Sequence, residues 1–331
     1  MPVIGPQALM RQSERVAGAR MTTTEQQSVL FDKVCIIGIG LIGSSLARAL
    51  KQAQLATYIH AVDQSDAARA EAAALGIADD VTSDVAVAAD CDLIIIATPV
   101  GVMPAVLATL SGMVKEGAII MDVGSVKGSV ASAGEAMPAH FHMVPAHPIA
   151  GTENSGPAAG FAELFQQRWC ILTPLNRQDE DYAVAVSKVE KLWRGIGSDV
   201  VSMDASHHDL ALAVTSHLPH LIAFTLVGAA DDVENVNEAE VVKYSAGGFR
   251  DFTRIAASDP VMWRDVFLHN KDAVLEVLGR FSEELAVMQR AIRWGDAEAL
   301  EKAFTRSRGL RQAIIEAGQE TAEPNFGRDK K

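Results

Sequence analysis

From Phe31 to about Asp204, short apolar runs alternate with stretches whose apolar residues recur at helical spacing. Such alternation predicts βαβ units and a mostly parallel, doubly wound sheet. The strand runs are Val34–Ile37, Thr57–Asp63, Leu93–Thr98, Ala118–Asp122 and Met143–Ala146, with a last pair at Trp169–Thr173 and Asp199–Met203. Residues 93–97 are apolar without a break, as a strand covered on both faces should be, and Pro99 stops the run. Helical spacing falls at Leu41–Gln52, Ala67–Leu75 and Tyr182–Trp193. Beyond Ala205 the strand signal ends. The chain then reads as helices at His208–Ala229, Glu238–Tyr244, Val261–Arg280, Glu283–Trp294 and Ala297–Ala317. Ala213, Leu221, Phe224 and Leu226 make the first of these apolar on most sides, which assigns it to a core or a subunit interface. The expected organisation is an α/β domain over 31–204 and an all-α dimerisation domain over 205–320, flanked by a disordered leader (1–30) and tail (321–331).

Three glycines follow the first strand at the G-x-G-x-x-G spacing: Gly38, Gly40 and Gly43. The first allows a tight turn, the second lets a pyrophosphate approach the backbone, and the third lets helix and strand pack closely. Ile39, Leu41 and Ile42 lie between them, and the N-terminal N–H groups of the next helix are free to face phosphates. Glycine triplets also occur in ordinary turns, but here the triplet links a strand to a helix. Asp63 follows twenty residues after Gly43, at the end of the second strand. A carboxylate there accepts a hydrogen bond from a ribose 2′-hydroxyl and repels a 2′-phosphate, so NAD is expected rather than NADP. Ligands bind such sheets beyond the carboxyl ends of the strands, and Asp63, Thr98, Ser125 and His147 all fall at predicted strand ends.

Composition narrows the choice. A net charge of −13 with no basic block argues against a general nucleic-acid binder. Cys35, Cys91 and Cys170 have no C-x-x-C spacing and sit in or beside predicted buried strands, as reduced core residues of a cytoplasmic protein do. The leader has no apolar h-region and is not a secretory signal. Leu93 to Val114 carries no charge, but Pro99, Gly101, Pro104 and Gly112 interrupt it, so no membrane span is expected.

Histidine, arginine and serine cluster in a few segments: His147-Pro148, Ser206–Asp209, Ser216–His220 and Gly247–Arg254. A metal site is disfavoured. Pro219 lies between His217 and His220, no glutamate completes an H-E-x-x-H, and no cysteine is near. A Ser-His-Asp hydrolase lacks its G-x-S-x-G elbow.

Six motifs in this order resemble the prephenate/arogenate (cyclohexadienyl) dehydrogenase family of tyrosine biosynthesis. They are Gly38–Ser45, D-V-G-S-V-K at Asp122–Lys127, H-P-I-A-G-T-E at His147–Glu153, S-H-L-P-H at Ser216–His220, Gly247–Ala256, and D-P-x-M-W at Asp259–Trp263. The resemblance implies a Rossmann-like sheet domain, a helical dimerisation domain, and oxidative decarboxylation with NAD. It makes His147 the catalytic base on a ring hydroxyl and has Ser125 touch that hydroxyl and the nicotinamide. It gives Arg254 a substrate carboxylate to bind. His208, Ser216 and His220 would line the pocket, with Thr152 and Glu153 at its entrance, and Gly247, Asp251 and Trp263 reaching in from the other subunit of a homodimer. No room is expected for a C-terminal regulatory domain, so any inhibition by tyrosine would act in or near the active site. An imidazole with an ordinary pKa near 6.5 suits the base role. A β-hydroxyacid or imine-type dehydrogenase and a non-catalytic NAD(H) sensor are the competing readings. The first usually carries Lys and Asn on the helix that here offers His208, Ser216 and His220, and the second needs a basic DNA-reading module.

Overall fold

A computed structural model describes residues 29–152, 154–231 and 247–316. The expected helix Glu238–Tyr244, Glu153, most of the leader and the tail lie outside the described residues. Strands β1 (Phe31–Ile37), β2 (Ala56–Val62), β3 (Asp80–Thr82), β4 (Leu93–Ile96), β5 (Ile119–Asp122) and β6 (His142–Met143) form one parallel sheet. Its order is β3-β2-β1-β4-β5-β6, so the winding reverses between β1 and β4. All of β4 and β5 and residues 34–37 of β1 are buried, which is why their sequences show no alternation.

Helix α1 (Leu41–Gln52) follows β1 directly, and α2 (Asp66–Ala74) follows β2. The Ser65 side chain caps α2 by accepting from the Ala68 N–H. Three further helices are α3 (Met103–Leu110), α4 (Gly128–Glu135) and α5 (Glu180–Gly195). Helix α5 buries Trp193, whose indole N–H points at Met121 Sδ, 3.2 Å away in β5.

Met143–Ala146 is two strands rather than one, and the last strands do not extend the main sheet. Strands β7 (Ala146–Pro148), β8 (Trp169–Leu172) and β9 (Asp199–Ser202) form a separate three-stranded sheet, with β7 antiparallel to β8 and β8 parallel to β9. Pro145 explains the split, because it has no N–H to continue the ladder. The Val144 N–H still donates to Ile120 O (2.8 Å), whereas the Pro145 carbonyl accepts from Thr173 N–H (2.9 Å) beside the new sheet.

The rest is helical: α6 (Ala205–Leu212), a π turn (Ala213–His217), α7 (Leu218–Asp231), α8 (Gly247–Thr253) with a 3₁₀ turn at Arg254–Ala257, α9 (Pro260–His269), α10 (Lys271–Trp294) and α11 (Ala297–Glu316). The expected helix Val261–Arg280 is broken at Asn270, and its second part is continuous with Glu283–Trp294 in α10. The Asn270 amide is spent on side-chain hydrogen bonds rather than turned to solvent, which suits a helix junction. Gly295, in the left-handed conformation at φ 66°, ends α10.

The chain divides into two compact units. One takes residues up to 98, 105–123 and 137–202; the other takes 99–104, 124–136 and everything from 203. Two pieces of the sequence that runs through the sheet region, one of them carrying Ser125, therefore group with the helices. Among the described residues one helical run, Ala205–Ala230, has the length and mean hydropathy (1.7) of a membrane span, which the sequence reading did not single out. It also carries His208, Asp209, His217 and His220, all four of them hydrogen-bonded within the helical unit.

Candidate active site

The turn from β1 to α1 is shaped by its glycines. Gly38 has φ +94°, and a Cβ there would lie 2.7 Å from Ala97 O and 3.0 Å from Thr98 N. At Gly43 a Cβ would lie 1.9 Å from Gly38 O. Gly40 is different, since nothing lies within 4 Å of a Cβ placed there and the backbone is open to a ligand. It is also the N-cap of α1 and has no side chain to cap the helix. Asp63, just past β2, accepts from Ile39 N–H through Oδ2 (2.9 Å) and from Ser65 N–H through Oδ1 (2.9 Å), which fixes the carboxylate beside the turn. Thr98, past β4, keeps a buried hydroxyl with no hydrogen-bond partner. An uncapped helix end, an open glycine and a fixed carboxylate fit the phosphates and ribose of a dinucleotide.

In the same unit His147 lies in the middle of β7 opposite Ile171, not after a strand end as the sequence suggested. Its side chain is largely buried. Hydrogen bonds from Ile149 N–H to Trp169 O (2.7 Å) and from Thr173 N–H to Pro145 O hold the backbone on either side. Thr152 is exposed and its hydroxyl accepts from Asn154 N–H (3.2 Å). The loop beyond packs on α1, where Phe161 N–H donates to Ser45 Oγ (3.1 Å).

The helical unit holds the remaining predicted residues. His208 is fully buried and donates from Nδ1 to Asp209 Oδ1 (2.8 Å). Asp209 also accepts from Lys127 N–H and Gly128 N–H, both at 2.8 Å. Burial alone pushes its carboxyl pKa up, but these three hydrogen bonds outweigh it and the pKa lies below the ordinary value. His220 stacks on Trp263 at 3.7 Å and donates from Nδ1 to Ser216 O (2.8 Å). Trp263 was expected from another subunit, yet within this chain it already lies on His220. Burial, opposed by the Ser216 carbonyl and helped by the charge of Arg254, holds the His220 pKa below its ordinary value. Arg254 is exposed, and no hydrogen bond or ion pair engages its guanidinium among the described residues. Gly247 and Asp251 are exposed on α8, where Arg250 lies 3.8 Å from Asp251.

Asn270 was missed as a functional candidate, Asp209 was noted only within the Ser206–Asp209 cluster, and His217 was weighed only as a disfavoured metal ligand. His217 is 1% exposed. Asn270 Nδ2 donates to Asp209 O (2.8 Å) and meets His217 Nδ1 at 3.0 Å. Because the donor is an amide N–H₂, His217 Nδ1 accepts and its proton sits on Nε2. Burial, only partly offset by Asp209, lowers the His217 pKa to about 4. A histidine held neutral adds stability that is complete above its unfolded pKa near 6.5 and is lost as pH falls from there toward 4. Between pH 7 and pH 5, His217→Gln is expected to lose about 2 kcal/mol less stability than the parent. Parallel denaturant titrations at the two pH values measure this, and equal losses would exclude it.

The family model described as prephenate dehydrogenase, nucleotide-binding domain, matches residues 46–202, and that described as prephenate dehydrogenase, dimerization domain, matches 204–306. A cyclohexadienyl dehydrogenase of Zymomonas mobilis is 42% identical over 287 residues, covering 86% of this chain and 97% of the relative. A prephenate dehydrogenase of Bacillus subtilis is 36% identical over 287 residues, covering 86% and 76%. Among solved structures, a prephenate dehydrogenase from A. aeolicus in complex with hydroxyphenyl propionate and NAD+ has a TM-score of 0.80 at 33% identity, covering 87% of this chain and all of that one.

Proposed function

The chain belongs to the prephenate dehydrogenase family, and from that premise we propose that it oxidatively decarboxylates prephenate, arogenate or both. The products are 4-hydroxyphenylpyruvate or tyrosine, CO₂ and NADH. The observation that carries the reading is the glycine turn with its fixed Asp63 carboxylate, in a chain that matches an NAD+-bound prephenate dehydrogenase along most of its length. Gly38–Gly43, Asp63, Thr98 and Ser125 hold the dinucleotide, and Asp63 favours NAD over NADP. When bound, NAD+ supplies the acceptor for the hydride that leaves C4 of the ring.

The chain's own residues orient the substrate and move the proton. His147 accepts the proton of the C4 hydroxyl, and Ser125 holds the same oxygen. As the C4–O bond becomes a carbonyl, C4 gives up its hydride; the ring carboxylate leaves as CO₂, its electron pair passes through the ring to the C4 oxygen, and that oxygen takes the proton back from His147 as the ring becomes aromatic. Arg254 grips a substrate carboxylate with two N–H groups, and among the described residues no hydrogen bond or ion pair occupies them. His208, Ser216, His220, Trp263, Gly247 and Asp251 line the pocket, with Thr152 and Glu153 at its entrance. Neutral His220 adds no second cation there, leaving Arg254 to set the charge. Helices α7 and α10 expose Leu226, Val227, Leu285 and Ile292, which suit a homodimer contact in a region matched to a dimerization domain. A cytoplasmic location and inhibition by tyrosine at the substrate site accord with this reading.

Initial-rate assays of NADH formation with prephenate, arogenate and a simple β-hydroxyacid test it. Turnover of either cyclohexadiene is expected, and reaction with the hydroxyacid alone would overturn the assignment. In the same assay Arg254→Ala is expected to raise the KM of the cyclohexadiene about 10- to 100-fold with a smaller change in kcat. An unchanged KM would place the carboxylate clamp elsewhere.

A further inference from the structure

Helix α4 begins without a local cap. Its N-cap residue is Lys127, whose side chain makes no capping hydrogen bond. The cap comes instead from Asp209, 82 positions further along the chain. Oδ1 accepts from Lys127 N–H and Oδ2 from Gly128 N–H. The two bonds satisfy backbone donors at the start of the helix and set a negative charge against its positive end. Gly128 makes room for this, since a Cβ there would lie 2.8 Å from Asp209 Oδ2. Asp209 is itself tied on two further sides: His208 donates to its carboxylate, and Asn270 donates to its backbone carbonyl. Asn270 in turn reaches His217. The carboxylate thus joins the Lys127-Gly128 backbone, just after Gly124-Ser125-Val126, to the start of α6, and Asn270 links the Asp209 backbone to His217.

We propose that Asp209 is a positioning residue for the reaction: its carboxylate, held by His208 while Asn270 holds its backbone carbonyl, clamps the N-terminal end of α4 and thereby sets where Ser125 presents its hydroxyl. The proposal rests on the reading of Ser125 as a residue that touches the reacting hydroxyl. Asp209 touches neither substrate nor cofactor; it acts through two backbone N–H groups. Asparagine at 209 keeps the shape but turns an N–H₂ group toward one of those donors, which breaks a charged hydrogen bond and leaves a buried N–H unmet.

A double-mutant cycle with kinetics and hydrogen exchange tests this. Asp209→Asn is expected to lower kcat about tenfold, with the KM for NAD+ within about twofold of the parent. Amide exchange in a peptide covering 124–128 should quicken. In the Ser125→Ala background the Asp209→Asn loss should disappear, because both changes remove the same placed hydroxyl. Gly128→Ala, which crowds the carboxylate without deleting any functional group, should act in the same direction and carries the cycle if Asp209→Asn does not fold. Additive losses, or unchanged exchange at 124–128, would overturn the proposal while leaving Ser125 in its role. Full activity in Ser125→Ala alone would instead remove the premise, and the proposal with it.

Discussion

His147→Asn is expected to lower kcat by about 10²-fold or more while leaving the affinity for NAD+ within about twofold. Asparagine retains a polar side chain of similar reach, so hydrogen bonding is partly kept and only the base is lost. The backbone has little freedom to compensate, because β7 is paired to β8 through residues 146–148 and flanked by the bonds at Ile149 and Thr173. The dinucleotide turn draws on β1, β2 and β4, not on β7, which is why binding of NAD+ should be spared. Steady-state kinetics with the cyclohexadiene substrate and fluorescence titration of NAD+ separate the two effects. Turnover near the parent's would take His147 out of the mechanism.

Much of this was readable from residue patterns. The glycine turn was legible because each step is local: an apolar run, glycines at fixed spacing, and a helix found at the predicted Leu41–Gln52. Asp63 was found by counting twenty residues onward, and the structure has it hydrogen-bonded to Ile39. What stayed hidden depends on distant partners. Strands β6 and β7 hold two and three residues, too few to show a period, and only the strand each one pairs with separates them. The helix break at Asn270 left no apolar gap, since α9 and α10 continue the same pattern on either side. Asp209 stood out only as the last residue of the Ser206–Asp209 cluster at the start of a helix. Its signal was a carboxylate beside a histidine at the start of a mostly apolar helix, with a Lys-Gly pair far upstream that lacked a cap of its own. No single-sequence period links positions 128 and 209.

The glycine turn allows the sharpest separation of folding from binding. Gly43→Ala puts a methyl 1.9 Å from the Gly38 carbonyl oxygen and 3.3 Å from Ile36 Cγ2, so β1 and α1 must move apart. Overpacking against backbone costs about 3 kcal/mol or more, and the Tm should fall by about 10 °C even without ligand. Affinity for NAD+ should drop by about 10²-fold or more as the turn opens. Gly40→Ala makes the opposite case. Its methyl meets nothing within 4 Å, so the unliganded protein should melt within about 2 °C of the parent. That methyl occupies the space through which a pyrophosphate approaches the backbone, and NAD+ affinity should still fall about 10- to 100-fold. Thermal melts with and without NAD+ distinguish the two variants. If Gly40→Ala bound NAD+ as well as the parent, the phosphates would have to lie away from this helix end, and the dinucleotide assignment of the turn would fail.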